Sequence, residues 1–154
     1  MTGSCEMSRS WKPNVVVAAV IERDGRFLMV EEETTDGLRI NQPAGHLEAN
    51  ESLLQAAVRE TFEETAHHFV PECLVGIYQW QRPRTDVTYV RFTFAGEVWE
   101  PKESVELDSG IVRTLWLSER ELRDSVSRLR SPLVLQSVED WLRGQRFGLE
   151  LLGS

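Results

Sequence analysis

The sequence predicts a mixed α/β domain on three observations: segments rich in β-branched or alternating residues, one long stretch of helical period between them, and two capped helices near the C-terminus. The first extended segment, Asn14 to Glu22, is followed by Asp24-Gly25 and then by Phe27 to Glu31, which reads as a β-hairpin. A second turn signal at Asp36-Gly37 leads into a short extended piece that reaches Pro43. From Asn50, a fitting N-cap, the residues Leu54, Val58, Thr61, Phe62 and Thr65 recur at helical spacing, predicting a helix from Glu51 to Ala66. Leu74 to Gln81 and Val87 to Val98 read as strands. In the second, Val90, Phe92, Phe94 and Val98 alternate with Tyr89, Arg91, Thr93 and Glu97, so one face is expected in the core and the other in a more polar setting. Ile111 to Leu117 is a further strand, and the capping box Ser118-x-x-Glu121 opens a short helix after it. Ser131-Pro132 supplies the N-cap and first position of a last helix, expected to bury Leu135, Val138, Trp141 and Leu142 and to stop at Gly144.

The 154 residues suit a tail at 1–10 and a single domain over 11–154, long enough to bury a core without disulfide staples. A formal charge of −8 argues against a nucleic-acid polymer as partner, whereas a small anionic substrate stays compatible with it if a metal supplies local positive charge. The longest apolar run, Val15 to Ile21, falls far short of the roughly 20 residues that span a bilayer, and Met1 to Ser10 has no hydrophobic signal core. A cytoplasmic protein without a membrane partner is expected. Cys5 and Cys73 form no metal-binding spacing. Monomer and homodimer are both open.

The chemistry lies in the long helix. Gly45, Glu51, Arg59-Glu60 and Glu63-Glu64 occupy six positions of a twenty-residue stretch. At ordinary residue frequencies that pattern would arise by chance about once in 10⁵ chains of this length. At about 100° per residue, Glu60, Glu63 and Glu64 form one acidic patch away from the apolar stripe. Glu60 and Glu64 repel each other at i,i+4 spacing by roughly 0.2 to 0.5 kcal/mol, and anions near a helix C-terminus oppose the macrodipole. Local stability does not select such an arrangement, but a hard divalent cation reverses both penalties, so the patch reads as a site for Mg²⁺, with Mn²⁺ as the alternative. Arg59 is placed to orient Glu51 or Glu60, and Gly45 to let backbone approach metal and phosphate.

These residues match a known family. Gly45 to His67 resembles the Nudix box, and Gln42-Pro43-Ala44-Gly45-His46-Leu47-Glu48 looks like the loop that leads into it. The resemblance implies the Nudix α/β/α sandwich with a mixed β-sheet. It also implies Glu60 and Glu64 as principal metal ligands, Glu63 as a direct or water-mediated ligand, and the carbonyl of Ala44 as a backbone ligand. Ala66 departs from the family's usual glycine and His67 from its usual aliphatic residue. Ala66 is therefore expected either to turn left-handed at roughly 1 kcal/mol cost or to let the helix run on. His67 and His68, just beyond the helix end, are expected to be solvent-exposed or to satisfy the helix dipole, with a role as extra ligands the alternative.

A finer resemblance, from about Trp11 to Leu152, rests on Asn41 to Glu48, Gln79-Trp80, Arg91-Phe92, Arg130 to Val134 and Gly144-Gln145-Arg146. These are similar to the NudJ-type phosphatase branch, which implies orthophosphate release from nucleoside tri- and diphosphates and from thiamine-pathway pyrophosphates, including hydroxymethylpyrimidine pyrophosphate and thiamine pyrophosphate. Gly45, His46, Trp80 and Arg91 are the substrate-binding candidates. Gln79 and Trp80 could offer an amide and a ring to a heteroaromatic group, with Trp80 as a core residue the alternative. Arg91 could meet a phosphate or form a structural salt bridge. Glu97, Glu106 and Asp108 are candidates for one more acid outside the box. Two other readings stay open: hydrolysis of a different nucleoside diphosphate derivative, such as ADP-ribose or an oxidised nucleotide, and a Nudix-like module that binds without chemistry.

Overall fold

The structure of the protein, a computed structural model, describes residues 10–153. The expected tail, apart from Ser10, and Cys5 lie outside the described residues. Among the described residues eight strands and three α-helices follow in order: β1 (Asn14–Val20), β2 (Glu22–Arg23), β3 (Arg26–Thr34), β4 (Gly37–Asn41), β5 (Ala44–His46), α1 (Leu53–Thr65), β6 (His68–Gln81), β7 (Thr88–Trp99), β8 (Ile111–Ser118), α2 (Glu119–Asp124) and α3 (Leu133–Leu142). The main sheet has the order β5, β1, β7, β6, with β1 parallel to β7 and the other pairs antiparallel. A second, antiparallel sheet joins β2, β3 and β4, with β8 on the free side of β3. Among the described residues no helix is long and apolar enough to cross a membrane.

The apolar run at the start of the chain explains why β1 is central. Val17, Ala19 and Ile21 pack with Ala56 and Ala57 of α1 and with Leu74 and Phe94. Val20 joins Val134 and Val138 of α3, together with Val75 and Ala95. A strand apolar on both faces belongs between two covering layers. Helices therefore flank the main sheet, and the expected α/β/α sandwich is what forms.

Several local expectations need correction. The hairpin exists, but only Glu22 and Arg23 pair with β3, around a turn in which Asp24 and Gly25 both have positive φ. β1 itself leaves to join the main sheet. α1 begins at Leu53 with Ser52, not Asn50, as its N-cap, because Ser52 and Gln55 complete a reciprocal capping box. Asn50 instead takes a positive φ in the preceding turn. Val58 is 36% exposed, and Ala56 and Ala57 fill the core in its place. β6 starts six residues earlier than Leu74; Pro71 is tolerated there because β6 is an edge strand with register shifts beside it. On β7 the polar row is buried at Arg91 and Thr93 and exposed only toward Glu97, so the more polar face that the alternation predicts is largely covered. The Ser118–Glu121 capping box forms as expected. α3 begins one residue later than expected; the Ser131 hydroxyl still accepts from the Leu133 N–H, Gly144 has the expected positive φ, and Leu142 is exposed.

Candidate active site

Glu60, Glu63 and Glu64 share the last turns of α1, and Arg59 organises their surroundings. Its guanidinium donates to both oxygens of Glu51 at 2.8 and 3.0 Å, to Glu60 and Glu63 at 3.0 Å each, and to the His46 carbonyl at 3.0 Å. The Glu48 N–H donates to Glu51 at 2.8 Å, completing the brace. Arg59 holds the Glu51 carboxyl below the usual carboxylate range, and the same bond raises the affinity of the guanidinium for its proton. Arg59 is thus the orienting group that its place in the sequence suggested.

The helix ends where the acids need it to end. Ala66 is left-handed, with φ 57° and ψ 28°, and its N–H returns to the Phe62 carbonyl. Of the two expectations for Ala66, the left-handed one holds. His67 and His68 are half-buried, and His67 meets a carbonyl of the last helical turn, as the dipole-satisfying expectation has it. His67 Nδ1 lies 2.7 Å from the Thr65 carbonyl and Nε2 lies 3.2 Å from Glu100, while His68 stacks on Trp99 at 4.1 Å. Both rings rest on aromatic neighbours remote in sequence, Trp116 of β8 and Trp99 of β7.

Glu60, Glu63 and Asp108 bring carboxylate oxygens within 4.8 Å of one another. Asp108 is carried there by its own N–H, which donates to the Glu63 carbonyl at 3.0 Å. Of the three acids outside the box, Asp108 therefore reaches the helix. Glu106 is exposed outside this cluster, and Glu97 pairs with Val70 about 20 Å along β7 from Arg91. Glu64 stands beside the trio: it is 8% exposed and accepts from the Ala44 N–H at 3.0 Å. Burial pushes its carboxyl up to about 8, against the Ala44 hydrogen bond, with Glu32, Glu60 and Asp108 adding to the rise. Burial also raises Glu60, opposed by Arg59.

Gly45 is the opening through which Glu60 reaches. A Cβ at Gly45 would fall onto the Glu60 carboxylate. An all-oxygen donor set, two raised carboxyls and backbone trimmed to let them pass fit a hard divalent cation.

Glu60 and Glu64 line a cleft of about 970 Å³ whose wall also carries Gly45, His46, Trp80, Tyr89 and Arg91. Trp80 and Tyr89 stack at 6.1 Å, so Trp80 belongs to the cleft wall. Gln79 is exposed and absent from that wall, because neighbours on a strand point to opposite faces. Among the described residues Arg91 has no carboxylate partner within salt-bridge distance; it donates to the side-chain oxygens of Asn41 and Gln42 at 3.1 and 2.6 Å, where the salt-bridge alternative would have an acid. Its burial pushes the guanidinium down to about 10. Arg39, Arg82 and Arg130 add positive charge at the rim, and Glu32 adds an acid; these contacts between strands and loops left no local signal in the sequence. A further hollow of about 700 Å³ adjoins the cleft across Trp80 and Arg82 but contains none of the α1 carboxylates.

Comparison with known proteins accounts for this arrangement. Residues 11–136 match the NUDIX domain family model. The chain belongs to the Nudix hydrolase family. It is similar to the protein named Phosphatase NudJ from Escherichia coli K12 and from Shigella flexneri, each 41% identical over 143 residues, 93% of this chain and 92% of theirs. A solved Nudix hydrolase from Nitrosomonas europaea superposes with a TM-score of 0.87 at 49% identity, over 91% of this chain and 95% of that one. A MutT Nudix hydrolase from Burkholderia pseudomallei, 18% identical, superposes at 0.71 over 84% of this chain and 98% of that one and shares the fold. The Nudix sandwich and the hydrolase class stand on these likenesses.

Proposed function

We propose that the protein is a Mg²⁺-dependent Nudix phosphatase that releases orthophosphate from nucleoside tri- and diphosphates and from the thiamine-pathway pyrophosphates hydroxymethylpyrimidine pyrophosphate and thiamine pyrophosphate. The observation that carries this reading is the joint placement, on one cleft, of the α1 carboxylates, the unneutralised guanidinium of Arg91 and the Trp80–Tyr89 ring pair. Acids for a cation, a cation for phosphate and rings for a heterocycle match the three parts of such a substrate. The similarity to a protein named as a phosphatase supports the choice of bond.

Glu60, Glu63 and Glu64, with the Ala44 carbonyl, would hold Mg²⁺, or Mn²⁺ in its place. When bound, the ion supplies charge neutralisation at the phosphate oxygens and a more acidic water. Arg59 keeps Glu60 and Glu63 aimed at one point while its other edge is committed to Glu51. Arg91 binds phosphoryl oxygens, and Trp80 with Tyr89 flanks the organic group. Glu60 or Asp108 accepts the proton of the attacking water. Small soluble pyrophosphates are the partners of this reading, in a cytoplasmic setting.

A panel of pyrophosphates tests the reading. Orthophosphate from a nucleoside diphosphate, abolished by chelation, is the expected result. A nucleoside monophosphate together with a second phosphorylated fragment from ADP-ribose, without orthophosphate release from diphosphates, would replace it with the alternative hydrolase reading.

A further inference from the structure

Burying a guanidinium costs several kcal/mol unless its charge is met. Arg91 is 6% exposed, forms no ion pair among the described residues, and leaves its buried Nε without a hydrogen-bond partner. Of its neighbours in the cleft, Arg82 pairs with Asp36 and Arg130 pairs with Glu32, while Arg39 forms no ion pair among the described residues but is only half-buried. The surroundings of Arg91 thus hold no direct carboxylate partner, and its charge is met only from a distance by Glu32 and Glu64.

Gln42 supplies those surroundings. It is fully buried, and its amide nitrogen donates to the Val134 carbonyl at 2.7 Å and to the Ser137 hydroxyl at 3.1 Å. A carbonyl can only accept and a guanidinium can only donate, so these partners fix which end of the amide faces which. The Gln42 oxygen is thereby turned onto Arg91 at 2.6 Å. A glutamate of the same shape would satisfy Arg91 better, yet it would neutralise the guanidinium and set a carboxylate against the Val134 carbonyl. The amide does neither.

We infer that Gln42 is a positioning residue: anchored to α3, it holds Arg91 through a neutral oxygen so that the guanidinium stays free to receive the phosphoryl oxygens of a diphosphate. The inference deepens the function proposed above and rests on its diphosphate substrate. A merely structural tie between the loop before β5 and α3 would require the two donated bonds of Gln42 but would be indifferent to charge at its oxygen.

The test compares Gln42→Glu with Gln42→Met, both of which lose the donated bonds while only the first introduces a negative charge. Inorganic pyrophosphate is titrated calorimetrically into the full chain in excess chelator, and steady-state rates are measured with a nucleoside diphosphate and Mg²⁺. Gln42→Glu is expected to bind pyrophosphate about tenfold more weakly than Gln42→Met, and to raise KM by a similar factor with kcat within about threefold. If Gln42→Glu does not fold, Gln42→Met is compared with the wild-type chain, and it is expected to bind pyrophosphate more weakly because Arg91 loses the oxygen that holds it. Equal pyrophosphate affinities in the compared chains would overturn the inference, as would a wild-type chain that binds no pyrophosphate without metal. Should no diphosphate be hydrolysed while the difference in pyrophosphate affinity persists, the proposed reaction fails and the role of Gln42 stands.

Discussion

Gly45 and Glu60 are matched by omission: a carboxylate occupies the space that any side chain at Gly45 would need. The obstruction is the far end of a flexible side chain, so Gly45→Ala should leave the fold intact and displace Glu60 instead. Its kcat/KM is expected to fall by about 10- to 100-fold with an unchanged circular dichroism spectrum, since misplacing a ligand has costs of that order. Activity at the wild-type level would show that Glu60 need not reach through this opening. At the same scale, Arg59 shows why a charge count misleads. Its contacts with Glu51, Glu60 and Glu63 form one brace in which removing any member redirects the others.

α1 carries its acids at the end the macrodipole disfavours, and it closes on an alanine held left-handed. Ala66→Gly removes that strain, and thermal unfolding should show a gain of roughly 1 kcal/mol. A lower melting temperature for this variant would mean that the left-handed turn is not strained. The helix was legible in the sequence because both its period and its acid spacing are local properties. Its start was misplaced by two residues, since Asn50 and Ser52 both have capping side chains and only the Gln55 partner decides between them. The hairpin forms around its Asp-Gly turn but is short for a non-local reason: the residues of β1 take a doubly covered position in another sheet and leave only Glu22 and Arg23 to pair with β3. Arg91 was legible as a strand residue near phosphate, but its contact with Gln42 spans 49 residues and no spacing rule encodes it. Asp108 was one of three equal candidates until a loop hydrogen bond placed it beside Glu63.

Across the whole molecule, a protein of net charge −8 has gathered arginines around one cleft and buried a carboxylate at its edge. That burial has a consequence for stability. Burial pushes the carboxyl of Glu64 up to about 8 in the folded chain from its ordinary 4.5, so the folded state binds more protons between those limits. The stability of the metal-free protein is therefore greatest, as far as this group is concerned, below about pH 4.5 and is lost as pH rises toward 8. Melting temperatures in chelator should fall across that window for the wild type, and Glu64→Gln should lack this component of the slope. Parallel profiles would show that Glu64 is ionised throughout in the folded protein.

The same buried carboxylate leads to the most direct measurement of the central claim, that the α1 carboxylates hold a divalent cation for phosphate release. Orthophosphate production from a nucleoside diphosphate should be followed in Mg²⁺, in excess chelator, and in Mg²⁺ with Glu64→Gln. The account predicts a loss of at least about 100-fold in the second and third conditions. Release that continues undiminished after chelation, or in Glu64→Gln, would contradict it.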